Sequence, residues 1–414
     1  MSGTAPEEGP GPAGQSPGPE LAGARAMLPK SVTDAPGIPR LFDALAAPAY
    51  FVGGCVRNAL LGAGATDIDL ATPLPPDAVS DRLAKAGIKV VPTGVEHGTV
   101  TAVLAGAAYE VTTFRADVET DGRRAVVRFT EEMAEDAARR DFTMNALYAD
   151  RAGGVIDPLG GLPDLRARRV RFIGRPADRI REDYLRILRF FRFSAVYAGR
   201  GIEPEGLAAC AALADGVGRL AKERIGAEMR KLLAAPDPSA ALAAMAQSGV
   251  LARVLPTAQT AAFPALVAME RAAGVAPDWL TRLALLEAAG AVTALRLSRA
   301  EARSLETLDA LVRAADPPAL AAEAASPEAA RAAALLRAAR FGDPLPVDLE
   351  AQILRGATAH FPLQAKDLIA LGWAPGPALG QALVAARDDW RRSGFVLSKA
   401  ALIDRLGPPA TPVG

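Results

Sequence analysis

Short apolar runs rich in β-branched residues recur between about residue 28 and residue 172. They fall at 50–52, 67–71, 89–91, 99–104, 109–114 and 125–129, with Gly, Pro and Asp between them, and predict strands. Stretches with helical spacing at 55–61, 76–86 and 131–148 predict helices between those strands, so this part reads as a small sheet with helices on one side. Beyond Gly199 the strand signals vanish. Ala and Leu dominate, and Pro or Gly breaks recur at helix lengths, which predicts an all-helical remainder without a fixed repeat. Residues 1–20 hold five glycines and five prolines with little apolar bulk, and a disordered tail is expected over 1–25.

Composition narrows the function classes. At 414 residues the chain has room for two or more domains. Its 47 Lys and Arg balance 47 Asp and Glu, so no global field draws in nucleic acid, and any RNA affinity must be local. Between 166 and 192 stand ten arginines against Asp178, Glu182 and Asp183, the one place where phosphates would gather. Cys55 and Cys210 are too few and too far apart for a disulfide framework or zinc site, and fit a reducing cytoplasm. His97 and His360 are the only histidines, which excludes His-rich metal chemistry. No apolar run approaches the ~20 residues of a membrane span, and the N-terminus lacks a signal-peptide pattern. A cytoplasmic protein with no membrane and no implied protein partner is expected.

The chemistry concentrates at 51–70, FVGGCVRNALLGAGATDIDL. An apolar run ends in Gly53-Gly54, where backbone N–H groups can approach an anion. Arg57 follows. Asp67 and Asp69 then stand two apart in a second apolar run, so a strand would turn both carboxylates to one face. Such a pair repels unless a cation lies between them, and Mg²⁺ commonly joins one or two carboxylates to substrate phosphates. A phosphate cradle and a metal clamp side by side suit nucleotidyl transfer. Glu110 alternates with apolar residues in the 109–114 strand. It is either a third carboxylate on that face or an ordinary solvent-facing residue.

Three further stretches carry polar residues in patterned places. Residues 115–128, which include Asp121-Gly122-Arg123-Arg124, are polar and read as a mobile loop. Arg139-Arg140-Asp141-Phe142-Thr143-Met144-Asn145 places paired arginines before an apolar segment. At 182–192, helical spacing puts Tyr184, Leu185, Leu188, Phe191 and Ala195 on one face and Asp183, Arg186, Arg189 and Arg192 along an i, i+3 row elsewhere.

Together these strings resemble the class II tRNA nucleotidyltransferases (CCA-adding enzymes) and bacterial poly(A) polymerases, of the DNA polymerase β-like superfamily. The resemblance is strongest from about residue 50 to 228 and returns weakly at 366–377. One departure is Asn58, where the family usually has Asp after Val-Arg. The resemblance implies an α/β nucleotidyltransferase head with a mixed sheet at 26–172, then an all-α neck at 173–232 for nucleotide selection, a body at 233–345 and a tRNA-binding tail at 346–414. It implies Mg²⁺ on Asp67 and Asp69 with Glu110 assisting, and a triphosphate on Gly53, Gly54, Arg57 and Arg140. Asp141 would meet the ribose. Asp183 and Arg186 would read the base, with Arg189 and Arg192 nearby. An acceptor beside donors fits cytosine and adenine, which show an amine next to an unprotonated ring nitrogen, while uracil and guanine show the reverse. The implied reaction adds C and A from CTP and ATP to the 3′ end of tRNA. The alternatives are a poly(A) polymerase, an enzyme adding only A or only CC, and a catalytically inactive RNA-binding protein.

Overall fold

Strand β1 (Tyr50–Val52) lies inside a seven-stranded sheet. The structure, a computed structural model, describes residues 26–64, 67–91, 94, 98–121, 124–199 and 201–408. The tail expected at 1–25 and the 122–123 pair of the expected loop lie outside the described residues. The chain divides into two compact units, residues 1–254 and 255–414.

In the first unit α1 (Lys30–Thr33) and α2 (Ile38–Leu45) precede β1. Ile38, Leu41, Phe42 and Leu45 are buried at the spacing of one helix face. After β1 come α3 (Gly54–Leu60), β2 (Asp69–Thr72), α4 (Pro76–Lys85), β3 (Lys89–Val91), β4 (Thr99–Leu104) and β5 (Ala107–Thr113). Next are β6 (Arg115–Asp121), β7 (Arg124–Phe129), α5 (Met133–Ala138), β8 (Tyr148–Ala149) and β9 (Val155–Ile156). The sheet runs β3-β4-β5-β2-β1-β8-β9. β2 and β5 are parallel and the other neighbours antiparallel, so the sheet is mixed.

Two local expectations change. Residues 115–128, expected as a loop, form the antiparallel hairpin β6–β7 with one irregularity between Asp117 and Glu119. The run at 125–129 is the strand its apolar residues predict, now β7, whereas 115–121 carries a charged residue at every second position, which reads as loop in the sequence. The helix expected over 131–148 is three elements: α5, a 3₁₀ turn at Thr143–Asn145 and β8. Its apolar residues serve two cores. Ala137, Ala146 and Tyr148 join Val52, Ala71, Phe114 and Ile173, while Phe142 packs with Phe172 and Phe193 at 5.0 Å between ring centroids.

Through Phe193 that second cluster ties in one of the helices that follow β9. Those helices are α6 (Gly161–Arg166), α7 (Pro176–Glu182), α8 (Leu185–Tyr197), α9 (Pro204–Ala212), α10 (Lys222–Leu233), α11 (Ser239–Gln247) and α12 (Val250–Val254). α8 is buried on more than the one face expected: Ile187, Phe190 and Phe193 are covered as well as Leu185, Leu188 and Phe191. Arg186, Arg189 and Arg192 form a half-open strip, and the helix opens further at Ala195, Val196 and Tyr197.

The second unit is helical throughout its named elements, from Phe263–Ala272 to Lys399–Leu406. A fully buried ion pair, Arg282–Glu270 at 2.6 Å, sits within it. The 366–377 string spans the helix Ala365–Ile369 and the turn before Pro377–Arg392, and Leu368 shares a core with Trp390 and Leu402.

Candidate active site

β2 begins at Asp69, not at Asp67, which occupies the bend before it. The alternation expected of a strand nevertheless extends back: Ile68 and Leu70 are buried, Asp67 is exposed and Asp69 half-buried. In the parallel ladder Asp69 is the register partner of Glu110 on β5, so the two side chains share a sheet face. Glu110 is exposed on that face while Tyr109 and Val111 point into the core.

Burial pushes the Asp69 carboxyl up to about 6, and the charges of Glu110 and Asp67 push the same way, opposed by Arg140. Three carboxylates and one guanidinium therefore converge there, and the excess of negative charge is what a divalent cation would neutralise. Among the described residues no group of three or more His, Cys, Asp or Glu is gathered so as to hold a metal ion by itself. Hard oxygen ligands left open toward a ligand's phosphates match the way Mg²⁺ is usually held, so the residues present fit that ion.

The glycine pair lies beside this face. Gly53 has φ +70°, and a Cβ there would lie 3.1 Å from Arg140 Nη1. Any side chain would thus meet both backbone strain and the arginine. Arg140 thus faces Gly53, and its charge is also felt at Asp69. Its Nη2 donates to Asp136 at 3.0 Å and its Nε to the Tyr148 hydroxyl at 3.3 Å.

Arg57 is placed differently. It is buried at 7% exposure and donates to Asn145, to the Tyr197 hydroxyl at 2.7 Å and to Asn58 Oδ1 at 3.1 Å. Burial lowers its pKa, with Tyr197 and Asp141 opposing. Asn58 Oδ1 also accepts from the Tyr197 hydroxyl at 3.1 Å, so a neutral amide suffices at position 58.

From Arg57 a single polar chain runs through Asn145 to Asp141, Arg189, Glu228 and Arg192. Asn145 Nδ2 donates to Asp141 Oδ1 at 2.8 Å, and Arg189 meets Asp141 Oδ2 at 2.5 Å. Glu228 lies 3.8 Å from Arg189 and 2.5 Å from Arg192. Four expected site residues, Arg57, Asp141, Arg189 and Arg192, are thus brought together, with Asn145, Tyr197 and Glu228 completing the network. Burial opposes ionisation of Asp141, but Arg189 and Asn145 outweigh it and hold its pKa below the usual carboxylate range.

The structure does not pair Asp183 with Arg186. The helix expected over 182–192 is interrupted: α7 ends at Glu182, and Asp183 has φ −153° and ψ 108°. Its Oδ1 caps α8 by accepting the Leu185 amide at 3.0 Å, which favours the break. Its Oδ2 meets Arg224 of α10 at 2.7 Å. Arg186 instead meets Glu182 at 2.5 Å and the carbonyls of Arg179 and Arg139 at 2.8 and 3.2 Å. Arg224 stands 41 residues beyond Asp183, and no spacing rule links the two. Tyr184 lies directly on Gly216, where a Cβ would overlap its ring, and this seats the Asp183 corner.

A mixed sheet bearing convergent carboxylates, an arginine over a glycine pair and an arginine-lined helix behind it define a nucleotidyltransferase of the polymerase β type, with a mostly helical remainder. Residues 49–171 match the poly A polymerase head domain, and 201–261 the probable RNA and SrmB-binding site of polymerase A. The mitochondrial CCA tRNA nucleotidyltransferase 1 of Danio rerio is 32% identical over 395 residues, 89% of each chain. The CCA-adding enzyme of Levilactobacillus brevis is 42% identical over 204 residues, 49% of this chain and 50% of that one. Among solved structures, the Bacillus stearothermophilus CCA-adding enzyme in complex with CTP is similar with a TM-score of 0.66 at 30% identity, covering 89% of this chain and 96% of that one. The Thermotoga maritima CCA-adding enzyme complexed with tRNA shares the fold, at TM-score 0.65 and 19% identity over 88% and 92% of the chains. The chain belongs to the CCA tRNA nucleotidyltransferase family.

Proposed function

We propose that the chain is a template-independent RNA nucleotidyltransferase that adds C and A, from CTP and ATP, to the 3′ end of tRNA. The observation that carries this reading is the register of Asp69 against Glu110, beside Arg140 and the glycine pair. Family membership supports it, as does the complex of the Bacillus stearothermophilus CCA-adding enzyme with CTP.

In the reaction the RNA 3′-hydroxyl attacks the α-phosphorus of the nucleotide and pyrophosphate leaves. Asp67 and Asp69, with Glu110 opposite, would hold Mg²⁺, which when bound lowers the pKa of the attacking hydroxyl and offsets charge on the leaving phosphates. Gly53, Gly54 and Arg140 line the triphosphate subsite, with Arg57 acting from beneath. Asp141, fixed by Arg189 and Asn145, faces the ribose. Asp183, Arg186, Arg189 and Arg192 form the wall against which the base is read. Segments 26–172, 173–232, 233–345 and 346–414 serve as head, neck, body and tail. Among the described residues no helix is long and apolar enough to cross a membrane, and we read the compartment as cytoplasmic.

Poly(A) addition is separated by giving the protein ATP alone, with a tRNA ending in CC and with an unrelated RNA oligomer. The reading predicts one A on the tRNA and little on the oligomer. Long A tracts on both would replace it with the poly(A) reading.

A further inference from the structure

Asp136 has no role in the site as described so far, yet it is 1% exposed and surrounded by donors. Its Oδ2 accepts from Arg140 Nη2 at 3.0 Å and from the Tyr148 hydroxyl at 2.6 Å. Its Oδ1 accepts from Arg139 Nε at 2.9 Å and from the Arg115 amide at 3.3 Å. The Tyr148 hydroxyl in turn accepts from Arg140 Nε at 3.3 Å, and the guanidinium lies 5.4 Å from the ring centroid. Arg140 is thus held on two edges, and its remaining nitrogen, Nη1, is the one that faces Gly53.

A free arginine side chain carries rotamer entropy that a ligand would have to immobilise. A guanidinium already locked by a carboxylate and a hydroxyl meets its anion without that cost, which is preorganisation. The carboxylate is itself fixed from two elements, α5 through its own helix and the root of the β6–β7 hairpin through the Arg115 amide. Neither Asp136 nor Tyr148 reaches the open face, so both act through Arg140.

We propose that Asp136 and Tyr148 are positioning residues that hold Arg140 over the glycine pair, so that one guanidinium nitrogen meets the nucleotide triphosphate. This rests on the triphosphate subsite proposed above. A purely packing role predicts a different result, since it would lower stability and change no step selectively.

The test uses the full chain with Tyr148→Phe and Asp136→Asn, each compared with wild type in melting temperature, CTP dissociation constant, and KM and kcat for CTP and ATP. Tyr148→Phe keeps the ring in its core and removes only the hydroxyl, so it should melt close to wild type. Its dissociation constant and KM for both nucleotides should rise about tenfold, the worth of one hydrogen bond, with kcat nearly held. Asp136→Asn should do more. In the Arg140→Ala background, Tyr148→Phe should add nothing, because its effect passes through Arg140. Unchanged nucleotide binding in a folded Tyr148→Phe, or losses that add fully to those of Arg140→Ala, would overturn the proposal. A wild type that binds CTP but extends no RNA would sink the proposed reaction, and the binding comparison would still decide this point. A wild type that binds no nucleotide overturns both.

Discussion

The carboxylate of Asp183 lies 2.7 Å from the guanidinium of Arg224, one helix over, and not against Arg186 three residues along. Both partners are partly exposed, at 28% and 41% of their side chains. Arg186 is more enclosed, at 12%, and tied to Glu182. The proposed base-reading wall would therefore be built from two helices and the joint before them. An incoming base that takes Asp183 as an acceptor would compete with Arg224.

Replacing Asp183 with Ala should weaken the preference for CTP and ATP over UTP and GTP. A lost hydrogen bond in a desolvated pocket is worth roughly 1–3 kcal/mol, or about tenfold to a hundredfold in discrimination. A lost surface ion pair alone would cost ~0–1 kcal/mol of stability and leave selectivity intact. Single-turnover incorporation of all four nucleotides separates the two, and full retention of the C and A advantage rules out base reading by Asp183.

Asp67→Ala and Asp69→Ala should each fold and lose incorporation. Residues behind a metal's direct ligands typically account for about 10–100-fold in affinity or activity, so direct ligands should exceed that. Glu110→Ala should also fall sharply, given its place opposite Asp69. Mg²⁺-dependent incorporation at wild-type rate by either aspartate variant would remove the metal assignment. Near-normal Glu110→Ala would make Glu110 a bystander on the face.

The raised pKa of Asp69 has a pH consequence. Its folded value of about 6 exceeds the ordinary 3.8, so between those values the folded protein binds the proton more tightly than the unfolded chain. The contribution favours folding fully below the lower value and is lost as pH rises through the upper one. In chelator, wild type should therefore lose stability relative to Asp69→Asn as pH climbs through about 6. Parallel melting curves for the two proteins from about pH 4 to about pH 7 would refute the shift.

The β6–β7 hairpin continues directly from the strand that carries Glu110. If it positions the primer or drives the change from C to A, shortening it around 122–123 should spare C addition more than A addition. Equal loss of both steps, or no loss, would leave the hairpin outside the cycle.

Much of this arrangement is readable from the chain because it is local. The strand alternation around Asp67 and Asp69 survives although β2 starts two residues late, and Glu110 falls opposite Asp69 because each lies within its own apolar run. Hidden features depend on pairing across distance. Arg224 reaches Asp183 over 41 residues, and Arg57 is consumed by Asn145 and Tyr197, 88 and 140 residues away. The break at Asp183 was masked because the apolar spacing of α8 runs back through Tyr184 as if the helix began earlier. Asp136 sat one turn before the noted arginines and offered no pattern of its own. Its importance comes from burial among donors, which composition does not reveal.

The central claim is tested by supplying purified protein and Mg²⁺ with a tRNA transcript lacking its CCA end, first with each nucleotide singly and then with CTP and ATP together, and sequencing the product. The account predicts C from CTP alone, nothing from UTP or GTP, and with both substrates the three nucleotides C, C, A followed by a stop. Products ending after CC, A tracts without C, or no extension at all would contradict it.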